Sequence, residues 1–219
     1  DLVCIGTISD IVPLVDENRV IAKLGLKLIE QTKNIGLRTL LNIANFKKID
    51  SNAISFGVAP RINACGRMGA QEEALKLFLT EDKQEALKIA KNLVKFNQER
   101  QNTEKQIFED VIQEIEKNND KEKKCIVLAK ENWHHGIIGI VSSKVTEMYY
   151  KPSILICLEG DMGKGSGRSV PGFDLYNALS KCNNYIEKFG GHSMAIGISI
   201  KKENFEKLKA EIEKCAEES

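Results

Sequence analysis

The apolar positions in the first part of the chain recur mostly at helical spacing. Residues 1–10 form a short apolar run closed by small and polar residues, which predicts a buried strand that ends at Asp10. Two helices are predicted next, because apolar residues recur every three or four positions along residues 20–29 and 37–44. Residues 57–69, which have a glycine at each end, predict a loop.

One long helix is predicted over residues 81–118, where apolar residues keep helical spacing without proline or glycine. The apolar stripe fades at residues 97–105, so we expect this helix to link two bodies and to meet water between them. A coiled coil is the alternative, but the interruption and the single copy of the stripe disfavour it.

The remainder alternates strand and helix patterns, as in α/β proteins. The predicted strands are residues 125–129, 153–158 and 194–200. The predicted helices are residues 136–149 and 174–182 and a last amphipathic helix from residue 205. A glycine-rich loop is expected between residues 159 and 172. The chain therefore predicts two compact units or one large α/β unit.

Composition narrows the class of protein. Of 219 residues, 42% are hydrophobic and 29% are charged, which is typical of a soluble globular protein, and no apolar run is long enough for a membrane span. The net charge of +1 indicates no basic face, so any nucleic-acid contacts must come from a few placed groups. Six cysteines without a C-x-x-C pair favour a reducing, cytoplasmic location and no zinc site. Because the chain opens at Asp1 in a predicted strand, without Met or a signal peptide, we expect an excerpt of a longer protein.

Two glycine-rich segments carry the strongest candidate chemistry. Residues 160–169 combine glycines, which let backbone approach an anion, with the side-chain donors Lys164, Ser166, Arg168 and Ser169. The plainer interpretation is a glycine-softened hairpin. The second segment ends in Gly190-Gly191-His192 and presents an imidazole beside flexible backbone; the alternative is a turn with an incidental surface histidine. Two such segments in one small domain favour phosphate binding.

Three further groups are candidates. His134 and His135 precede a predicted helix whose first N–H groups favour anions, whereas a metal site is disfavoured because adjacent residues rarely share one ion. Arg61 and Arg67 suggest a clamp on backbone phosphates or, equally, braces of a domain junction. Asp10 is a candidate ligand of a divalent metal, against the alternative of a capping acid.

These segments together resemble the RecJ single-strand-specific DNA exonucleases of the DHH phosphoesterase superfamily. The resemblance rests on five stretches in register over essentially the whole chain: residues 6–14, 59–69, 133–139, 164–175 and 189–192. It implies an α/β fold of two α/β bodies joined by a long helix. Residues 1–79 would be the C-terminal part of a DHH catalytic domain, residues 80–120 the connecting helix, and residues 121–219 a complete DHH-associated substrate-binding domain with a mixed sheet.

The resemblance also implies roles for individual residues. Asp10 matches the last metal-ligand motif of the catalytic domain, and Ser166 and Arg168 match residues that grip substrate phosphate. The glycine-glycine-histidine signature of the family falls on Gly190, Gly191 and His192. Arg61 and Arg67 fall in a motif that lines the nucleic-acid path.

The implied activity is 5′-to-3′ hydrolysis of single-stranded DNA with two Mn²⁺ or Mg²⁺ ions, with no membrane partner. The upstream motifs that supply most metal ligands are absent, so this chain alone is expected to be inactive and to bind mainly nucleic-acid phosphate. Two alternatives remain open. One is a DHH-type phosphodiesterase of short oligonucleotides or cyclic dinucleotides, and the other is a non-catalytic nucleic-acid-binding module.

Overall fold

A computed structural model describes residues 1–218. It divides into two compact units, residues 1–101 and 102–218. The helices are α1 (Leu2–Ser9), α2 (Asp16–Glu30), α3 (Ile35–Ala44), α4 (Ala59–Arg67), α5 (Gln71–Leu79), α6 (Lys83–Asn118), α7 (Ile138–Tyr149), α8 (Leu175–Lys181) and α9 (Phe205–Glu217). The strands are β1 (Ile126–Glu131), β2 (Ser153–Glu159), β3 (Met162–Arg168), β4 (Lys188–His192) and β5 (Ala195–Lys201).

The first unit is helical throughout its described residues, which corrects the predicted strand at residues 1–10. That segment is α1, whose N-terminus is capped by the Asp1 carboxylate accepting from the Leu2 N–H. The short apolar run fits a strand and a buried helix equally well by periodicity. Packing against α2 decides for the helix, with Cys4, Ile5 and Ile8 buried in the core of the first unit. The α/β character of the chain therefore resides in the second unit.

A second correction concerns the predicted loop at residues 57–69. These residues continue a π-helical segment, Ala53–Val58, directly into α4, and Pro60 lies where the π-helical hydrogen-bond pattern changes to the α-helical one. The chain turns only at Gly69, whose φ of +76° lies in the region that glycine adopts without strain. The glycines of this segment therefore lie within helices or directly after a helix end.

The predicted long helix is confirmed as α6, which spans 36 residues. Its polar middle holds the boundary between the two units, at Gln101 and Asn102. The expectation that this middle meets water is wrong in part, because Asn97 and Glu104 are buried. Glu104 is paired with Lys144 of α7 at 2.5 Å, so a polar position here packs against its own unit.

The second unit is built on a mixed five-stranded sheet with the order β1-β2-β3-β5-β4. β1 and β2 are parallel and are connected through α7, and all other neighbours are antiparallel. One face of the sheet packs against α8 and α9 in a core that includes Val127, Ile156, Ile198, Leu179 and Ile212. α7 packs against β2 and β3. The predicted strands and helices of this unit are confirmed within a few residues. All six cysteines of the chain are buried free thiols.

Candidate nucleic-acid interface

Three rows of side chains cross the sheet on the face opposite the α8–α9 core. Residues that pair across neighbouring strands project to the same face, so the strand register fixes each row. The rows are Ile126, Ser153, Arg168, Ala195, His192; Leu128, Leu155, Ser166, Gly197, Gly190; and Lys130, Cys157, Lys164, Ser199, Lys188. On β1 and β2 the rows carry mostly apolar side chains, with Ser153 and Lys130 as the exceptions, whereas on β3, β5 and β4 they are small, polar or cationic. The polar part of this face, on β3, β5 and β4, is called the polar face below.

The alternate residues of β3 are glycines, and they face the core. A Cβ atom built on Gly163, Gly165 or Gly167 would lie 2.8 Å from an isoleucine side chain on a neighbouring strand. The apolar side chains of Ile156, Ile196 and Ile198 fill the space above these glycines. The expectation that the glycines of this segment form a loop cradling an anion is therefore wrong, since they make room for the core while the residues between them face the other way.

Ser166 and Arg168 are in contact on the polar face. The Arg168 guanidinium donates through Nη1 to Ser166 Oγ at 3.1 Å and to the Gly167 carbonyl at 2.8 Å. Both side chains are half-buried because α7 packs close to them: a Cβ on Gly139 would lie 3.0 Å from Ser166 Oγ and 3.4 Å from Arg168 Nη2. Gly139 thus lets α7 approach the pair that the sequence assigns to phosphate.

β4 places Gly190, Gly191 and His192 at the edge of the sheet. The sequence suggested a turn here, but these residues pair with β5. His192 is exposed, and its Nδ1 accepts the N–H of Met194 at 3.3 Å, which leaves the proton of a neutral ring on Nε2. Gly191 has φ +138°, and a Cβ there would lie 2.1 Å from the Ala195 carbonyl oxygen, so only glycine fits.

A groove of about 360 Å³ lies on this face between the turn before α7 and the edge strand. It is lined by His135, Ile138, Lys164, Gly165, Lys188, Phe189, Gly197, Ile198 and Ser199. The sequence pattern indicates Lys164 as a donor, but it did not indicate Lys188. Strand alternation was the signal available, because Lys188, Gly190 and His192 are two residues apart and must share a face once β4 is known to be a strand.

Ser169 differs from the other donors of its segment. Its side chain is buried, and its hydroxyl donates to the Phe173 carbonyl at 2.7 Å, closing the turn between β3 and α8. The hydroxyl of Ser169 is therefore committed to that turn, which indicates a structural contribution.

The turn at residues 133–136 is anchored to its surroundings. The buried Trp133 donates from Nε1 to Asp110 Oδ2 of α6 at 2.7 Å, and its carbonyl oxygen lies 2.7 Å from Cys157 Sγ. The rings of His134 and His135 stack at 5.3 Å. Burial lowers the pKa of His134, and the neighbouring His135 acts in the same direction. The Nδ1 atom of His134 accepts the Gly136 N–H at 3.1 Å.

His135 is the exposed member of the pair and lines the groove. Its Nδ1 lies 3.4 Å from Glu159 Oε1 at the end of β2. The adjacent imidazoles therefore have separate partners.

The candidates in the first unit lie on helices. Asp10 is exposed at the C-terminal end of α1. Arg61, on α4, donates to the Gly57 carbonyl at 2.6 Å, and its guanidinium carbon lies 6.0 Å from the centre of the Phe46 ring. Burial lowers the pKa of Arg61. Arg67, in the last turn of α4, is exposed. Both contacts of Arg61 lie within the first unit, so neither the phosphate clamp nor the brace of a domain junction is tested by them.

The described residues do not complete the two-ion metal site that the resemblance implies. Among residues 1–218, no group of three or more His, Cys, Asp or Glu side chains is arranged to hold a metal ion. Asp10 offers one carboxylate, whereas a two-ion site needs several ligands. The other ligands of such a site would have to come from elsewhere in the whole protein.

Comparison with known proteins assigns the second unit. Residues 122–218 match the family model of the DHHA1 domain. This matched segment is similar to DHHA1 domains and makes up less than half of the chain. The mixed sheet carrying Ser166, Arg168 and His192 lies within it, and its α/β class agrees with the prediction.

The whole chain is similar to RecJ proteins. It is 37% identical over 221 residues to the single-stranded-DNA-specific exonuclease RecJ of Bacillus subtilis, covering 99% of this chain and 28% of that protein. It is 32% identical over 216 residues to RecJ of Escherichia coli, covering 94% of this chain and 37% of that protein. The resemblance to RecJ exonucleases is confirmed, and the chain spans about a third of the length of these relatives.

Solved structures of RecJ share the fold of this chain. The crystal structure of RecJ from Thermus thermophilus in complex with Mg²⁺ superimposes with a TM-score of 0.92 at 32% identity, covering all of this chain and 34% of that one. A crystal structure of exonuclease RecJ bound to manganese gives a TM-score of 0.90 at 33% identity and covers all of this chain and 55% of that one. No helix among the described residues has the length and apolar character needed to cross a membrane.

Proposed function

We propose that the polar face of the DHHA1 domain binds the phosphate backbone of single-stranded DNA in a RecJ-type exonuclease. The observation that carries this proposal is the common face of Ser166, Arg168 and His192. Arg168 and Ser166 form one cluster of donors, and His192 adds an imidazole from the edge strand. A guanidinium beside a hydroxyl matches the oxygens of a phosphodiester, to which it donates charge-assisted hydrogen bonds.

The roles of the individual segments are assigned by their similarity to RecJ proteins. We propose that residues 121–219 hold the substrate, residues 80–120 form the connecting helix, and residues 1–79 are the end of a DHH catalytic domain. Asp10 supplies one ligand to a pair of Mn²⁺ or Mg²⁺ ions whose other ligands come from elsewhere in the whole protein. Arg61 and Arg67 line the path of the single-stranded DNA. Gly190 and Gly191 let the protein backbone approach the DNA closely. The bound ions would activate water for attack on phosphorus.

Hydrolysis by the whole protein tests this proposal. We expect Mn²⁺-dependent release of mononucleotides from the 5′ end of a single-stranded 20-mer, with a duplex of the same sequence cut far more slowly. A strand labelled at one end only gives the direction. No hydrolysis of any strand would support the non-catalytic alternative, and turnover confined to dinucleotides or cyclic dinucleotides would support the phosphodiesterase alternative.

A further inference from the structure

We infer that the groove beside Ser166 and Arg168 is a second phosphate subsite, in which Lys164 and Lys188 hold the next phosphate of the same strand. This inference rests on the proposed function, which assigns the first phosphate to Ser166 and Arg168. The inference assigns a phosphate of the DNA to the groove. It also requires the ligand to carry at least two consecutive phosphates.

The spacing of the rows fits successive phosphates. Lys164 precedes Ser166 by two positions on β3, which corresponds to about 7 Å along a strand. Neighbouring phosphates of an extended single strand are separated by a similar distance. Lys188 lies in the same row as Lys164, on the far side of Ser199. The two lysines therefore flank one point on the polar face, one step from the first phosphate.

The floor of the groove is open backbone. Gly197 and Gly190 occupy the row of Ser166, and a Cβ atom built on either would have no heavy atom within 4 Å. No side chain from the described part of the chain fills the space directly above these two glycines. A sugar-phosphate backbone can thus lie directly on β5 and β4, with the hydroxyl of Ser199 beside it.

The charges of the groove lack counterions. Two lysines elsewhere around the sheet are paired: Lys130 of β1 with Asp110 and Glu114, and Lys202, which follows β5, with Glu131. Within residues 1–218, Lys164 and Lys188 form neither a hydrogen bond nor an ion pair, and both are exposed. Two like charges face one groove, and an anion between them would relieve their repulsion.

The N-terminal end of α7 adds to the positive electrostatic potential of the groove. Ile138, the first residue of this helix, lines the groove, and the N-terminus of a helix carries a partial positive charge. The carboxylate at this border is Glu159, which lies against His135. The groove therefore favours one anionic group, such as an internucleotide phosphate.

Binding of short oligonucleotides by the whole protein tests the inference. The probes are 5′-phosphorylated thymidine, the 5′-phosphorylated dinucleotide and the 5′-phosphorylated octanucleotide, without metal ions to prevent turnover. The test variant is Lys164→Gln with Lys188→Gln. Its matched control is Lys181→Gln with Lys207→Gln, which removes the same charge from α8 and α9, beyond the opposite face of the sheet. Arg168→Ala is measured in parallel.

The wild type should bind the dinucleotide about tenfold more tightly than the mononucleotide, the gain expected from one charge-assisted contact. The test variant should lose that gain and keep its affinity for the mononucleotide. Its salt dependence with the octanucleotide should fall by about 0.7, the value for one single-strand phosphate contact, because both lysines hold the same phosphate. The control should match the wild type.

The outcomes separate the two proposals. If Arg168→Ala weakens binding of the octanucleotide and the lysine variant matches its control, the groove inference is overturned and the proposed function stands. Equal losses for mononucleotide and dinucleotide would also overturn it, because the lysines would then act on the first phosphate. A wild type that binds none of the probes would contradict the proposed function itself.

Discussion

Arg168 of β3 and His192 of β4 pair with the same residue, Ala195 of β5, from opposite sides. They stand in one row on one face of the sheet, about 10 Å apart at the backbone, which is two strand spacings. The small side chain of Ala195 lies between them. Residues separated by 24 positions in sequence thus flank a single narrow surface, and the loops that the sequence suggested are two strands.

Replacing Arg168 tests this surface directly. We expect Arg168→Ala to weaken binding of single-stranded DNA by the whole protein and to lower its salt dependence by about 0.7, as one phosphate contact is lost. Arg168→Lys keeps the charge and loses the planar fork, so it should recover the salt dependence but only part of the affinity. A salt titration of the binding constant measures both. Equal binding by all three proteins would show that β3 is only scaffold.

Gly165 and Gly197 should respond oppositely to alanine, although both lie in the centre of the sheet. Gly165→Ala places a Cβ against Ile198 and Ile156 and should destabilise the second unit by about 1–3 kcal/mol. Gly197→Ala enters open space and should change stability by less than about 0.5 kcal/mol. Urea unfolding followed by the fluorescence of Trp133, the one tryptophan, reports on this unit. Equal stability of the two variants would contradict the assignment of faces.

Asp10 should matter to catalysis and little to folding. This chain alone should not hydrolyse 5′-phosphorylated single-stranded DNA with Mn²⁺, since Asp10 is a single exposed ligand. In the whole protein, Asp10→Asn should abolish cleavage with an unchanged unfolding transition, because the side chain contributes little packing. Cleavage near the wild-type rate would identify Asp10 as a helix-terminal acid without a catalytic role.

Acid should weaken the anchor of the turn before α7. Burial acts to raise the pKa of Asp110, but hydrogen bonds from Lys130 and Trp133 outweigh it and hold that pKa below its ordinary value. The carboxylate therefore stabilises the fold fully above the unfolded pKa of about 4, and this contribution is lost as the pH falls through the lower folded value. Asp110→Asn should be less stable than wild type at pH 7, and the difference should shrink below pH 4. Urea unfolding followed by circular dichroism measures the difference in the free energy of unfolding at each pH. A difference that does not change with pH would contradict the link between the Asp110 pKa and stability.

The sequence by itself determined α2, α3 and α6 to α9 and the strands β1, β2 and β5, whereas it predicted a strand in place of α1 and a loop in place of α4. Local periodicity over 36 residues was enough to define α6, and the motif order was enough to indicate the RecJ resemblance. These features depend on contacts near in sequence or on residue identity, which a single chain displays directly.

Only the tertiary structure decided which way the glycine-rich segments face. In β3, alternating glycine and polar residues are compatible with a phosphate loop and with a strand, because glycine permits both. The isoleucines of β2 and β5 settle it, since their side chains fill the space on one side of β3 and turn Lys164, Ser166 and Arg168 to the other. For the same reason Lys188 joined the candidate site only when β4 was placed at the sheet edge. Which residues share a face is set by pairing between strands distant in sequence, and no local pattern encodes that register.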